Sequence, residues 1–239
     1  MLSVVIPVLN EARNLERLLP DLLRTCPGAE VIVADGGSTD DSPAVVLHHP
    51  LVKWLESMPG RARQMNAGAR EAGGEILLFL HADTRLPEGA GTAIVEALAD
   101  PRAVAGRFDV QFDNPRPIFR VIAFFMNQRS RLSRISTGDQ AIFVRRASFK
   151  RLGGYPEIPL MEDVELTRQL KRTGRIRSLR LRVTTSARKW ERDGAIRTIL
   201  LMWLLRFLYF VGVSPERIHR LYYRRPAPHQ ATPGWPSLR

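Results

Sequence analysis

The 239-residue chain has one cysteine, Cys26, which excludes an internal disulfide framework. Its first residues, MLSVVIPVLNEA, contain no basic leader and no cleavage site, so a cytoplasmic location is expected. A spanning helix needs roughly 20 uncharged apolar residues. The most apolar segment, AIRTILLMWLLRFLYFVGV, falls short because Arg197 and Arg206 interrupt it. The glycine anchors of two common nucleotide folds are also missing: neither GxGxxG nor GxxxxGK[ST] is present, which argues against the usual dehydrogenase and kinase phosphate grips. There is no internal repeat. Residues 30 to 50 hold no Lys or Arg, although the whole chain has 36 basic against 24 acidic residues and a net charge of +12. That excess favours anionic partners such as nucleotides, nucleic acids or acidic lipid headgroups.

Hydrophobic content of 44% is enough for one sizeable core. LSVVIP reads as a first strand, and the leucines of NEARNLERLLPDLL, spaced i, i+3, i+4, give a helix with one apolar stripe. Asn10 is the expected N-cap of that helix, and Pro20 is expected to kink or divide it. EVIVADGGSTDD is a second strand ending in an acidic turn; Ser42 and Pro43 suit the start of the next helix. LVKWLES is a third strand, GRARQMNAGAREAGG a helix, and EILLFLHAD a fourth strand. The five apolar residues Ile76 to Leu80 read as a strand covered on both faces, which belongs in a parallel sheet. Alternating strands and helices over the first hundred residues imply right-handed crossovers and a nucleotide-binding half-domain.

Beyond residue 100, AVAGRFDVQF alternates like a strand with one exposed face. IFRVIAFFMNQRSRLSR is a helix, QAIFVRR a strand, MEDVELTRQLKRTG a helix and IRSLRLRVTTSAR a basic strand. Arg197 and Arg206 lie nine positions apart, on opposite sides of a helix at about 100° per residue. Two readings of that helix stay open: one packed on the domain, or one attaching the protein to a membrane surface. The domain division expected is 1–192, with a nucleotide half to about residue 100 and an acceptor half after it, then a helical extension 193–225 and a disordered tail 226–239.

Four polar clusters fall at or after strand ends: Asn10 with Glu11, Asp35 to Asp41, His81 with Asp83, and Glu162 with Asp163. In a parallel sheet such ends share one edge, where ligands bind. Asp40, Asp41 and Ser42 read as helix capping rather than chemistry. With no glycine-rich phosphate loop, a divalent cation bridging carboxylate and diphosphate is the simplest anchor for a nucleotide.

In this order, VVIPVLNE, VADGGSTDDS, GRARQMNAG, LLFLHADT, GDQAIFVRR and GGYPEIPLMEDVEL resemble a family 2 glycosyltransferase over about residues 2 to 190. The segment from Thr185 to Tyr223 further resembles a bacterial subgroup, the radical-SAM/selenodomain-associated transferases. The resemblance implies an α/β GT-A type nucleotide-diphospho-sugar transferase fold: a mostly parallel central sheet flanked by helices, here with a C-terminal apolar helix. It implies an inverting transfer from a nucleotide sugar, UDP-linked in preference to GDP-linked, to an acceptor hydroxyl, with Mn²⁺ or Mg²⁺. By position, Pro7, Asn10, Glu11, Asp35 and Arg63 match nucleotide-contacting segments. Asp83 matches the last aspartate of the Asp-x-Asp metal motif. Glu162 and Asp163 match the pair whose aspartate is the base.

His81 stands where the motif normally has its first aspartate. It either ligates the metal, which would favour Mn²⁺ over Mg²⁺, or hydrogen-bonds the nucleotide. Arg188, Lys189 and Arg192 are candidates to stabilise the leaving diphosphate, and Asp139 to line the acceptor cleft. Acceptor choice is expected to lie between Phe108 and Ser136, with a lipid-linked acceptor and peripheral contact at the inner face of the membrane. Three alternatives stand beside this reading: a nucleotidyltransferase, which should show a basic glycine-rich loop after the first strand; a nucleic-acid-binding protein, which should interleave aromatics with the basic stretch Lys171 to Arg182; and a non-catalytic nucleotide-binding fold. PVLNEARN has no glycine, Lys171 to Arg182 has no aromatic, and Glu162 with Asp163 is intact.

Overall fold

A computed structural model describes residues 1–223, so the tail expected to be disordered lies outside the described residues. The chain divides into two compact units, Met1–Ala187 and Arg188–Arg239, the division falling a few residues before the boundary read at 192. The first unit is built on one eight-stranded sheet of order β3-β2-β1-β4-β7-β6-β8-β5. Strands β1 (Leu2–Val8), β2 (Glu30–Asp35), β3 (Val52–Glu56) and β4 (Ile76–Phe79) pair in parallel. Helices α1 (Ala12–Thr25), α2 (Ser42–Leu47) and α3 (Arg61–Glu71) connect them. The second half adds β5 (Thr84–Arg85), α4 (Ala90–Ala97), β6 (Ala103–Phe112), α5 (Pro117–Ser133), β7 (Ile142–Arg145), α6 (Arg146–Arg151), α7 (Glu162–Thr173) and β8 (Arg175–Thr185). Among these β7 and β5 run against the others, while β6 and β8 pair in parallel.

The apolar run at residues 76 to 80 is explained by this placement. β4 lies inside the sheet, and its side chains alternate between two cores: Leu78 and Leu80 on one face, Leu77 and Phe79 on the other. Strand β1 splits likewise, with Val4 and Ile6 opposite Val5. Pro7 is tolerated because the register with β4 ends at Val5–Phe79, so its missing N–H falls where β1 has only β2 beside it.

Three local expectations are corrected. Helix α1 is not divided at Pro20 but continues to Thr25, with Leu15, Leu18, Leu19 and Leu22 all buried against the same core. Asn10 is not its N-cap; that position is Glu11, and Asn10 takes a left-handed conformation at φ 58°. The first eight residues of β6 are buried rather than alternating, because the strand lies between β7 and β8 with helices packed over it.

The second unit contains α8 (Arg188–Asp193), α9 (Ala195–Phe210) and α10 (Pro215–Tyr223). Within it the Lys189 ammonium lies 4.5 Å from the centre of the Tyr222 ring.

Helix α3 reaches its sheet face through Gly68, where an added methyl would fall far inside contact distance of Val5 Cγ1. Gly68→Ala gains helix propensity of about 1 kcal/mol but overpacks a buried site at a cost of roughly 1–3 kcal/mol. The single variant is expected to melt below the wild type in a thermal scan, and the Val5→Ala, Gly68→Ala double variant is expected to recover part of that loss.

Candidate functional site

The carboxyl ends of β1 and β2 are level, Val8 opposite Asp35, and a network of short polar contacts binds the loops that leave them. The buried Asp35 carboxylate accepts from the backbone N–H of Gly37 at 3.0 Å and of Ser38 at 2.9 Å. Ser38 Oγ donates to the same carboxylate and accepts from the Asn10 N–H at 2.8 Å. Asn10 Oδ1 in turn accepts from the Thr39 N–H at 2.8 Å. The left-handed backbone of Asn10, a conformation asparagine tolerates better than most residues, aims its side chain across at this loop. Asp40 caps as its residue type suggested, although across the gap: its Oδ2 accepts from the Ala12 N–H, the first residue of α1, at 3.0 Å. Ser42 Oγ accepts from the Glu11 N–H. DGGSTD is therefore a rigid loop clamped to the start of α1.

Gln64, which no pattern singled out, holds both strand ends from beneath. Buried on α3, its Nε2 donates to Val8 O at 2.6 Å and to Ala34 O at 2.9 Å. A polar residue on the buried face of a helix is the signal that was available. Asn66 on the same helix exchanges two 2.8 Å hydrogen bonds with the backbone of Tyr155, tying α3 to the segment before α7. Arg63 lies outside this network and pairs with Glu157 at 3.2 Å in a solvent-exposed contact, worth little energetically.

After β4 the chain turns tightly, the Thr84 N–H donating to His81 O at 3.0 Å. The turn leaves Asp83 exposed, with the Thr84 hydroxyl 3.3 Å from its Oδ1. It also presents the His81 ring to a short 3-10 turn, Gly138–Gln140. His81 Nδ1 lies 3.4 Å from Asp139 Oδ1, and the Cε1–Nε2 edge of the ring packs on Gly138 so closely that a methyl there has no room. The Gly138 N–H donates to Asp163 Oδ2 at 2.8 Å. His81, Asp139 and Asp163 are thus linked through the 3-10 turn, with Glu162 next to Asp163 at the N-terminus of α7 and Asp83 two residues after His81 in the turn that leaves β4.

Helix α7 starts from Met161 in a left-handed conformation at φ 70°, which places two adjacent carboxylates in its first turn. Burial pushes both carboxyls above the ordinary range, and for Glu162 the neighbouring Asp163 adds to the shift. For Asp163 the N–H groups of Gly138 and Val164 and the charge of Arg61 oppose the rise, whereas Asp139 adds to it. Arg61 pairs with Glu162, its Nη1 3.8 Å from Oε1; within GRARQMNAG it, rather than Arg63, faces the carboxylates. The helix dipole also favours negative charge here.

Arg188, Lys189 and Arg192 belong to the second unit. There Arg192 pairs with Asp193 at 2.8 Å and Lys189 lies over Tyr222.

Chemically, the edge offers a polar loop clamped at β2, an exposed carboxylate after β4 and a buried carboxylate pair at α7 whose ionisation burial disfavours. Residues 3–153 match the family described as Glycosyl transferase family 2. A PGL/p-HBAD biosynthesis glycosyltransferase of Mycobacterium tuberculosis (strain ATCC 25177 / H37Ra) is 33% identical over 166 residues, 65% of this chain and 63% of that protein. The chain thus spans less than two thirds of the length of these curated relatives. An undecaprenyl-phosphate 4-deoxy-4-formamido-L-arabinose transferase of Sodalis glossinidius (strain morsitans) is 30% identical over 115 residues, 44% of this chain and 35% of that protein. Among solved structures, the mannosyltransferase PcManGT from Pyrobaculum calidifontis, in complex with GDP-Man and Mn²⁺, is 25% identical with a TM-score of 0.60, covering 77% of this chain and 56% of its own. TarS of S. aureus in complex with UDP-GlcNAc, 18% identical with a TM-score of 0.61 over 77% of this chain and 58% of its own, shares the fold. The chain belongs to glycosyl transferase family 2, and its mixed sheet with helices on both faces is the GT-A fold.

Proposed function

We propose that the chain is an inverting glycosyltransferase that moves a sugar from a nucleoside-diphosphate sugar, UDP-linked in preference to GDP-linked, to an acceptor hydroxyl. The observation that carries this reading is the linkage of His81, Asp139 and Asp163 through one 3-10 turn after β4, two strands from the clamped Asp35 loop, in a chain of this family. Structural relatives solved with GDP-Man and with UDP-GlcNAc support the donor class.

The Asp35–Ser38 loop receives the nucleoside. It is rigid before any ligand arrives, so little ordering cost is left to binding. Among the described residues no cluster of three or more His, Cys, Asp or Glu is set to hold a metal by itself. The exposed Asp83 carboxylate fits a cation shared with the donor, since Mg²⁺ and Mn²⁺ accept one or two carboxylates together with phosphate oxygens. Such a cation, when bound, supplies positive charge where the leaving diphosphate gains negative charge. His81 is assigned to positioning: its Nδ1 faces Asp139 and its other edge is covered by Gly138, so it holds the 3-10 turn against the cleft and leaves Asp83 as the metal ligand.

Asp163 is assigned as the base. Buried and raised in pKa, it takes the proton from the acceptor hydroxyl as that oxygen attacks the anomeric carbon. A single displacement inverts the anomeric centre and needs no enzyme nucleophile. Glu162, paired with Arg61, keeps the site's charge balanced.

A lipid-linked acceptor is supported by apolar side chains left exposed on two helices. These are Phe124 and Phe125 of α5, and Leu200, Trp203, Phe207 and Phe210 of α9. Among the described residues no helix is long and apolar enough to cross a membrane, and the proposed contact is peripheral.

Calorimetric titration with UDP, GDP and their sugar conjugates, each with Mn²⁺, Mg²⁺ or chelator, is the first test. One nucleotide is expected to bind in a metal-dependent way, with affinity falling about tenfold or more in Asp83→Ala, the loss of one charged ligand. Absence of binding under every metal would refute the transferase reading.

Asp163→Asn carries a two-sided prediction. Transfer should fall by roughly 10²–10⁴-fold, the typical contribution of a general base. In the wild type the acid limb of kcat/KM should lie above the ordinary aspartate value of about 3.9. Because the folded pKa is raised, the carboxyl's favourable contribution to folding is complete below its unfolded value and lost as pH rises through the folded one. The variant should therefore melt above the wild type at pH 8, with the difference shrinking towards pH 4; equal melting curves across that range would contradict the assigned burial.

A further inference from the structure

One cleft of the first unit lies apart from every residue assigned to transfer. It has a volume of about 440 Å³ and opens where α4, the C-terminal end of α5 and the start of β8 meet. Sites for small molecules commonly enclose roughly 300–1,000 Å³. Ile176 and Leu179 supply apolar lining, and the charged groups are Arg131, Arg134 and Arg177 against a single carboxylate, Glu96.

The strand register separates this cleft from the Asp83 turn. Thr84, the residue after Asp83, pairs with Thr185 at the far end of β8, and Thr185 pairs with Phe112 of β6. Arg177 pairs with Gly106 of β6. The stretch of β6 from Gly106 to Phe112 spans ~20 Å at about 3.3 Å per residue, so a small molecule in the cleft is out of reach of Asp83. On α5, Arg131 and Arg134 fall about one and two turns beyond Asn127, the residue that meets the 3-10 turn at Gln140.

The three arginines differ in what they have left to offer. Arg131 is committed, its Nη2 bonding Asp109 Oδ2. Arg134 and Arg177 are exposed, and among the described residues neither guanidinium has a hydrogen-bond or ion-pair partner. Glu96 forms no ion pair among the described residues either, so it does not neutralise them. Arg134 also ends α5 in the left-handed region, at φ 59°. Glycine is the usual residue at such a position, and an arginine there accepts backbone strain while keeping a guanidinium at the cleft.

We propose that the cleft is a second ligand site, separate from donor and acceptor, for a small molecule that presents a diphosphate group between Arg134 and Arg177. It does not depend on the transferase reading. Two free guanidinium groups on separate walls match two phosphoryl groups, each of which accepts a bidentate pair of N–H donors. A lone carboxylate engages one fork and leaves the other unmatched. The diphosphate is either the free anion or the end of an organic molecule whose body lies over Ile176 and Leu179. No aromatic side chain lines the cleft among the described residues, so a nucleobase has nothing to stack on.

The test is calorimetry on the full chain without added metal, at about 0.15 M salt, where scattered surface charges are screened. Inorganic diphosphate is expected to bind one to one, with equal affinity for wild type and Asp83→Ala. Arg134→Met and Arg177→Met are each expected to weaken it about tenfold, the scale of one lost charge-assisted contact. The corresponding lysine variants should lose less, because the charge stays while the fork goes. Glu96→Gln should tighten binding by removing the opposing charge. Arg17→Met, on the exposed side of α1, should leave it unchanged. Isopentenyl diphosphate binding at least as tightly as inorganic diphosphate assigns the site to an organic diphosphate; weaker binding assigns it to the free anion; either supports the site. No binding by wild type, cleft variants that bind like wild type, a loss in Arg17→Met equal to theirs, or a loss in Asp83→Ala overturns the proposal. Metal-dependent nucleotide binding is measured separately, so each of these outcomes leaves the transferase reading to its own test.

Discussion

Two carboxyl groups in consecutive positions, both enclosed and both reluctant to ionise, set the terms for the rest of the cleft. Glu162 and Asp163 are tolerable only because several weak compensations converge on them: the N-terminus of α7, the Gly138 and Val164 amides and the Arg61 guanidinium. Each compensation fixes a piece of chain. Gly138 is held by Asp163 and in turn supports the His81 ring, and the His81 turn is what exposes Asp83. The exposure of Asp83 is thereby tied to the placement of Asp163.

The sheet separates two tasks. Around β2 and β1 the polar side chains spend their hydrogen bonds on one another, so Asp35, Asn10, Ser38 and Asp40 form a stiff receptacle. Around β6 and α5 the reverse holds, with enclosed donors left unmatched at Arg129 and Ser130.

Much of this was legible in the residues. Five apolar positions ending at His81 indicate a strand enclosed on both faces, and β4 divides them between two cores because its side chains alternate. The acidic residues after strand ends share one edge because parallel strands point the same way. Other features were hidden for physical reasons. Asn10 has the composition of a helix cap, yet the loop across from it competes for its oxygen and wins with several N–H donors. Pro20 should break a helix, but the leucines on either side are held by the same core. The role of Gln64 depends on two carbonyls from strands that local pattern cannot bring beside it, and Arg129 stands out only because of the acceptors it lacks. Long-range pairing of polar groups leaves little periodic trace in a sequence, whereas burial of apolar ones does.

We propose that the Asp35 loop, the Asp83 turn and the α7 carboxylates form one donor and transfer site. Crystals grown with UDP and Mn²⁺ and measured at the manganese absorption edge test it most directly. The expected result is an anomalous peak touching both Asp83 and the diphosphate, with the nucleoside over the Asp35–Ser38 loop. Manganese bound away from Asp83, or a nucleotide seated elsewhere on the chain, would contradict it.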